Sequence, residues 1–255
     1  MTAKELAENQ KYIVVGHRGY PHRYPENSLI GYREAVRVGV DLIEVDVNLS
    51  KDREPMVIHD TRIDRLSNGH GLISDYTMKE LRQLDFGFRK GPEFAGLHLP
   101  TLYEVCEMVK DDPNALMDVD IKVNHETEET LAVALRVLKE YKLLDRCVFN
   151  CCDCAVLKTI RRDLGLLTVG TAHFSPDVVN FETGPEGSYK WMWALCVPHD
   201  MMSKEWADYF HHLGIRYGCV APEENLELAL ACDMDFAVCD NPIPYLQALG
   251  RNPRP

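Results

Sequence analysis

The chain has 255 residues, of which 45% are hydrophobic and 27% are charged, and its net charge at pH 7 is −12. This length suits one large α/β barrel or two small domains, and the apolar content is sufficient for a substantial core. The negative charge argues against nucleic acid or an anionic membrane surface as the main partner. No apolar run approaches the roughly 20 residues of a membrane span, so we expect no stable membrane insertion.

The N-terminus and the cysteines bear on the cellular compartment. The first residues, MTAKELAENQK, are polar and lack the apolar region of a signal peptide. The nine cysteines cannot all pair with one another, because their number is odd. Both features favour a reducing compartment, and we expect a cytoplasmic protein.

The first predicted strand, residues 12–16, leads into a polar sequence that contains His17 and Arg18. A helix is predicted after it, because Asn27 or Ser28 can cap a helix N-terminus. Apolar residues then recur at helical spacing. The helix leads into a second strand.

Two carboxylates lie on one face of that second strand, residues 41–49. Glu44 and Asp46 are two residues apart, and side chains at that spacing share a face of a strand. They repel each other unless a cation lies between them, and a divalent metal ion is the usual solution. A tight turn joins this strand to a third, residues 55–58, which must therefore return antiparallel to it. The return is predicted to bring His59 close to the carboxylates.

The rest of the chain predicts one inserted segment and then a regular alternation of helices and strands. Residues 61–100 are rich in turn-forming residues and are too long for an ordinary loop, so we interpret them as a small inserted subdomain. Residues 171–190 are expected to form a long loop. Further strands are predicted at 115–121, 146–151, 166–170, 193–197, 215–220 and 236–239, with helices near 77–84, 101–110, 126–141, 153–164, 203–213 and 223–232.

The strand count predicts the fold class. Nine strands are predicted, and removing the antiparallel return leaves eight, which is the number in an α/β protein of the (β/α)8 TIM-barrel type. We therefore predict a single barrel domain over residues 1–255 with an insertion at about 61–100. An open doubly wound sheet is the alternative, but no glycine-rich turn of the dinucleotide-binding kind supports it.

A barrel would bring a third carboxylate and a cation to the first two carboxylates. Asp118, Asp120 and Lys122 alternate along the strand predicted at 115–121 and just beyond it, and so share a face. Asp120 adds an oxygen ligand of the kind that a divalent cation prefers, and Lys122 is suited to a phosphate oxygen. Asp118 lies lower in the barrel, where a salt bridge or a core hydrogen bond suits it better.

Two of the ten histidines have a position that suggests chemistry. His17 and His59 each close a strand, beside Arg18 or beside the carboxylates. Histidines titrate near neutrality, so one of a pair can act as base and the other as acid in a two-step displacement. The sequence therefore predicts half of a metal-dependent phosphotransfer site in residues 12–60 and the other half at residues 120–122.

Several spaced motifs resemble those of the glycerophosphodiester phosphodiesterase family. In chain order they are GHRG (16–19), PENS (25–28), EVDV (44–47), VIHD (57–60), DRLSNGHGLISDYTMKELRQLDFG (64–87), LPTLYEV (99–105), DIK (120–122) and FAVCDNP (236–242). Motifs in this order are far more specific than any one of them alone. The resemblance covers about residues 12–242.

The resemblance implies a TIM barrel that hydrolyses glycerophosphodiesters to an alcohol and glycerol 3-phosphate with one Ca²⁺ or Mg²⁺ ion. A neighbouring glycerol hydroxyl would attack first, giving a cyclic phosphate that water then opens. The partner is thus a small-molecule phosphodiester. The resemblance assigns three roles: metal binding to Glu44, Asp46 and Asp120, phosphate binding to Arg18 and Lys122, and acid–base catalysis to His17 and His59.

Two departures from the family pattern bear on the substrate. Asp120 stands where the family usually has Glu and is one methylene shorter, so the ion must shift or accept a water. The usual Trp-Thr-Val-Asn before the last strand is absent, and counting back from Asp240 places Gly218 at the Trp and Ala221 at the Asn. Two alternatives follow: a lysophospholipase D-like or sphingomyelinase D-like enzyme, and a phosphate-ester-binding protein without catalysis.

Overall fold

The structure, a computed structural model, describes residues 1–184, 186–220 and 226–253. The strands of these residues form one nine-stranded sheet, which closes because the first strand pairs in parallel with both the second and the last. The strands are β1 (Ile13–Gly16), β2 (Leu42–Leu49), β3 (Pro55–Val57), β4 (Met117–Ile121), β5 (Cys147–Asn150), β6 (Leu167–Thr171), β7 (Ala194–Pro198), β8 (Arg216–Val220) and β9 (Phe236–Cys239).

The third strand is the antiparallel return that the tight turn predicted. β3 pairs antiparallel with β2, with Val47 opposite Val57, and the other eight strands pair with one another in parallel. The backbone amide of Ile58 donates to the Asp46 carbonyl at 3.0 Å, which holds the end of β3 beside the middle of β2. The predicted (β/α)8 TIM barrel is confirmed.

Helices of the described residues lie between the strands and at both ends of the chain. Among these residues, no helix has the length and apolar character needed to cross a membrane. The helices are α1 (Ala3–Asn9), α2 (Leu29–Val38), α3 (Met78–Leu81), α4 (Leu102–Asp111), α5 (Thr127–Glu140), α6 (Cys154–Thr159), α7 (Lys204–His212), α8 (Leu226–Ala231) and α9 (Pro242–Ala248).

Helices α1 and α9 were not predicted from the sequence. α1 has seven residues and is mostly polar, so its helical pattern is weak; Ala3 and Leu6 are buried against the interior of the barrel. The Arg216 guanidinium donates to the carbonyls of Ala7, Gln10 and Lys11 and so holds the end of this helix. α9 does carry start signals, a capping Asn241 and a proline in its first turn.

Two apolar layers explain why the carboxylates of β2 face inward. Val45 and Val47 are buried in the layer between the sheet and the surrounding helices. The alternate residues Glu44 and Asp46 therefore point into the barrel, where they are 6% and 0% exposed. The lower interior is filled by a separate apolar cluster that includes Ile13, Leu42 and Phe236, as expected for a barrel whose interior is packed.

The inserted subdomain, residues 61–100, has a hydrophobic cluster of its own. Ile63, Ile73, Leu81 and Phe86 pack together and against Met56 and Ile58 at the end of the hairpin, and Leu99 completes the cluster. The predicted short helix is present as α3, which begins with a capping box between Thr77 and Glu80. We interpret the described residues as one barrel domain that carries this insertion.

Candidate active site

The parallel pairing of β2 with β4 brings the carboxylates together. Asp46 is the register partner of Asp120, and Glu44 is the register partner of Asp118. Glu44, Asp46 and Asp120 each offer an oxygen that lies within 4.8 Å of those of the other two. The three residues that the sequence suggested as metal ligands thus form one cluster at the carboxyl side of the barrel, where TIM-barrel enzymes carry their chemistry.

Two cations lie against this cluster. The Lys122 ammonium is 2.6 Å from Asp46 Oδ1 and contacts the Asp120 carboxylate as well. The Arg18 backbone amide donates to Glu44 Oε2 at 3.0 Å, and its guanidinium Nε is 3.8 Å from Asp46 Oδ2. The predicted phosphate-binding residues therefore stand beside the predicted metal ligands.

The electrostatics of the cluster indicate a deficit of positive charge. Burial and the repulsion from Asp46 raise the pKa of Glu44 to about 7. Burial also raises the pKa of Asp120, against the attraction of Lys122. For Asp46, burial is outweighed by Lys122, His59 and Arg18, and its pKa is lowered. Three converging carboxylates, of which Glu44 and Asp120 resist ionisation, fit a divalent cation with oxygen ligands.

Asp118 is a fourth buried carboxylate, one pair below the cluster. It is 2% exposed, and its Oδ1 has no hydrogen-bond partner among the described residues. Burial, followed by repulsion from Glu44, raises its pKa well above its usual range. We expected a salt bridge or a core hydrogen bond for Asp118, but its Oδ1 forms neither. The candidate cation, Lys122, lies closer to the carboxyl end of the barrel, between Asp46 and Asp120.

We expect Asp118→Asn to stabilise the metal-free protein increasingly as the pH rises above 3.8, the ordinary pKa of an aspartate. Folding raises the pKa of Asp118, so the folded state is favoured while the carboxyl is protonated, which holds fully below the pKa of the unfolded chain. At higher pH the unfolded chain ionises more readily than the folded protein, and this contribution to stability is lost. An asparagine cannot ionise and so avoids the loss. Urea unfolding in EDTA at pH 4 and pH 8 measures the difference from the unmodified protein. Asp200→Asn, at an exposed position, is the control, and an equal gain at both pH values would contradict the prediction.

His17 follows β1 and is held between two carboxylates. Its Nδ1 is 2.5 Å from Asp240 Oδ1 at the end of β9, and its Nε2 is 3.6 Å from Glu44 Oε2. Burial alone would lower the pKa of His17, but the hydrogen bond to Asp240 and the charge of Glu44 outweigh it and raise the pKa. The sequence motif contained Asp240, but its contact with His17 was not predicted.

His59 follows β3 on the other side of Asp46 and has a different environment. Its Nδ1 is 2.8 Å from Asp60 Oδ1, and the side chain is 37% exposed. Burial and the nearby Lys122 lower the pKa of His59. The pKa values of the two histidines are thus shifted in opposite directions, which is typical of an acid and a base in one site.

Asn27 is a site residue whose contacts could not be read from the sequence. Its side-chain Nδ2 donates to Asp46 Oδ2 at 2.7 Å, and its side-chain Oδ1 accepts from the buried Tyr32 hydroxyl at 2.6 Å. Its φ of 50° lies in the left-handed region, which asparagine tolerates better than most residues. Sequence reasoning identified Asn27 only as a possible cap, whereas Ser28 provides the cap of α2.

Two residues near the last strands, Gly218 and Ala221, depart from the family pattern, and the structure describes the first of them. Gly218 lies in β8, and a Cβ placed there would come within 2.4 Å of the Phe236 ring of β9. The Phe236 ring thus occupies the space that a larger side chain at residue 218 would need. Ala221 lies outside the described residues.

The barrel and this site define a TIM-barrel protein with its chemistry at the carboxyl ends of the strands. A family model described as the glycerophosphoryl diester phosphodiesterase family matches residues 17–192. Because that match covers more than half of the chain, the chain belongs to this family, and the resemblance drawn from the motifs is confirmed.

Individual relatives agree with this assignment. A glycerophosphodiester phosphodiesterase of Caldanaerobacter subterraneus subsp. tengcongensis is 35% identical over 63% of this chain and 66% of its own length. A human lysophospholipase D is 28% identical over 64% of this chain and 57% of its own length. The matched segments therefore span less than two thirds of these relatives.

Solved structures share the fold. The phosphodiesterase of Oleispira antarctica, solved with the product sn-glycerol-3-phosphate, has a TM-score of 0.79 and 24% identity, covering 92% of this chain and 95% of that chain. A glycerophosphodiester phosphodiesterase of Agrobacterium tumefaciens has a TM-score of 0.75 and 19% identity, covering 92% and 99%. At sequence identities of 19% and 24%, this structural similarity supports the barrel fold.

Proposed function

We propose that this protein hydrolyses glycerophosphodiesters to an alcohol and glycerol 3-phosphate. The observation that carries the proposal is the buried cluster of Glu44, Asp46 and Asp120, with two cations and two histidines around it. Membership of the family and the glycerol 3-phosphate bound to the Oleispira antarctica relative support the substrate class. The substrate is a small molecule.

One divalent ion, Ca²⁺ or Mg²⁺, would be held by the three carboxylates. When bound, it would neutralise charge on the phosphoryl oxygens and polarise the phosphorus. The donor set is composed of carboxylate oxygens, which both ions prefer. A charge of +2 would also offset the burial and the repulsion from Asp46 that together raise the pKa of Glu44 to about 7.

Lys122 and Arg18 would bind the phosphate. Lys122 is 15% exposed and Arg18 17% exposed, so both charges are available only within the site. Their attraction for the developing charge on the phosphoryl oxygens is strong there, because little water screens it. Arginine offers a planar fork to the phosphate, whereas lysine acts as a point charge.

His59 would be the base of the first step and His17 the acid. The lowered pKa of His59 keeps its ring neutral, so it can take the proton of the glycerol hydroxyl that attacks phosphorus. The raised pKa of His17 favours the protonated ring, which can give a proton to the departing alcohol. The resulting cyclic phosphate would be opened by water with the two roles exchanged.

Asp240→Asn is expected to move the high-pH limb of the activity profile to lower pH. The hydrogen bond from His17 to the Asp240 carboxylate raises the pKa of His17 above its usual 6.5, and a neutral amide would remove most of that effect. The dependence of kcat on pH measures the shift, with Asp208→Asn on the exposed face of α7 as the control. An unchanged high-pH limb would contradict the assignment of His17 as the acid.

A lysophospholipase D-like activity is the second candidate. The human relative of that name is the observation in its favour. Such an enzyme would use the same chemistry together with an apolar groove for the acyl chain, and the sphingomyelinase D-like alternative would need such a groove as well.

A comparison of products separates these candidates. The purified protein is incubated with glycerophosphocholine and with lysophosphatidylcholine, and the phosphate-containing product is identified by mass spectrometry. We expect glycerol 3-phosphate from the first at the higher kcat/KM. Preference for the acylated substrate would favour the lysophospholipase D-like activity. Tight binding of glycerophosphocholine without any product would instead indicate a phosphate-ester-binding protein.

We further propose that the protein works in the cytoplasm. All nine cysteines, which lie within the described residues, are free thiols. Burial raises the pKa of Cys147 and Cys151, so these thiols are unreactive and pack as small apolar side chains. A protein with many unpaired cysteines is typical of a reducing compartment.

A further inference from the structure

Arg65 of the inserted subdomain binds two carboxylates at the edge of the site. Its Nε donates to Asp60 Oδ2 at 2.6 Å. Its two terminal nitrogens donate to the two oxygens of Glu26 at 2.6 and 2.8 Å. This two-pronged geometry is the strong form of an arginine–carboxylate pair, and it fixes the position of both acids although the Arg65 side chain is 46% exposed.

Each of these carboxylates also contacts a residue of the proposed chemistry. Asp60 uses its other oxygen, Oδ1, to hold His59 Nδ1 at 2.8 Å. Burial would raise the pKa of Asp60, but the hydrogen bonds from Arg65 and His59 lower it, so the carboxylate is charged and accepts a hydrogen bond from Nδ1–H of His59. A neutral His59 ring held in this way keeps its proton on Nδ1 and leaves Nε2 free to accept one.

Glu26 makes the corresponding connection to the phosphate-binding side. Its Oε1 accepts from Arg18 Nη1 at 3.0 Å as well as from Arg65. Glu26 is largely buried, and without Arg65 its charge would be balanced by Arg18 alone. Arg18 would then be drawn towards Glu26 and would have less positive charge to offer a phosphate.

We propose that Arg65 is a positioning residue that couples the two sides of the site, orienting His59 through Asp60 and Arg18 through Glu26. The proposal rests on the proposed function, because it assigns a task to residues of that reaction. Arg65 touches neither histidine ring nor the carboxylate cluster, and it acts through its two partners. The inserted subdomain thereby contributes to catalysis as well as covering the end of the hairpin.

The first test compares Arg65→Gln with Arg82→Gln. Arg82 also belongs to the inserted subdomain and also ties it to the barrel, through Glu104 of α4, but it lies outside the His59–Arg18 chain of contacts. We expect Arg65→Gln to lower kcat for glycerophosphocholine about tenfold or more. This is less than the loss expected when a general base is removed altogether, because His59 would remain but would be less well oriented. Arg82→Gln should lose comparable thermal stability and keep its kcat.

Arg65→Lys provides a folded variant that keeps the charge. A lysine offers one point of positive charge and cannot hold both Glu26 and Asp60 in the fixed geometry of a guanidinium. We expect it to recover the thermal stability of the wild type and only part of the kcat. Wild-type kcat in both Arg65→Gln and Arg65→Lys would overturn the proposal.

A second readout does not depend on turnover. Long-range ¹H–¹⁵N spectra report which ring nitrogen of a histidine carries the proton, and the His59 signals are assigned by their loss in His59→Gln. We expect Nδ1–H in the wild type and in Arg82→Gln, and a mixture of tautomers in Arg65→Gln. An unchanged tautomer in Arg65→Gln would overturn the role of Arg65. Failure of the proposed function would appear separately, as a wild type that releases no glycerol 3-phosphate.

Discussion

Asp46→Asn is expected to reduce the hydrolysis of glycerophosphocholine by at least about a hundredfold, since even residues that only orient metal ligands typically contribute 10- to 100-fold. Asp46 is fully buried and lies at the centre of the site, in contact with Lys122 and Asn27 and close to Arg18. Its lowered pKa means that it carries a full negative charge. The amide keeps the shape of the side chain but removes that charge from the proposed metal ligands.

The measurement is the rate of glycerol 3-phosphate release together with the affinity for Ca²⁺ and Mg²⁺ by calorimetry. Asp118→Asn is the matched control, because it makes the same change in the same barrel interior but outside the cluster of three. We expect Asp118→Asn to bind metal and turn over substrate nearly as the wild type does. Equal losses in the two variants would show that the effect comes from disturbing the barrel interior.

His59→Gln is expected to lower kcat by about 10²- to 10⁴-fold, the range that a positioned general acid or base contributes. Its KM should change little, because the phosphate would be bound by Lys122 and Arg18 and the metal by the carboxylates. The side chain is 37% exposed and outside the hydrophobic clusters, so the fold should tolerate the change.

His70→Gln is the control for this variant. His70 also belongs to the segment that follows β3, and its side chain is 82% exposed. Metal affinity and thermal unfolding should match the wild type in both variants. Turnover of His59→Gln at the wild-type rate would contradict a catalytic role for this histidine and leave the acid–base proposal without its base.

The strands and their order could be predicted because their signals are local. The spacing of Glu44 and Asp46 placed both carboxylates on one face of β2, and the tight turn before Pro55 required an antiparallel β3. Once a barrel was assumed, its closed parallel order placed Asp120 beside Asp46, as the register confirms. The residues of the proposed metal cluster were therefore accessible from the sequence.

Contacts that depend on distant parts of the chain were not accessible. The pair of His17 and Asp240 joins residues 223 positions apart, and no pattern within either strand indicates it. The contact of Asn27 with Asp46 requires a left-handed backbone at a residue that also looks like a helix cap. Arg65 was hidden for a different reason, since an arginine in a turn-rich segment is usually solvated.

We propose that Glu44, Asp46 and Asp120 hold a divalent ion on which phosphodiester hydrolysis depends. The most direct test is the release of glycerol 3-phosphate from glycerophosphocholine by protein treated with EDTA and then supplied with Ca²⁺ or Mg²⁺ alone. We predict that EDTA abolishes release and that at least one of the two ions restores it. Full release after removal of the metal would contradict the claim.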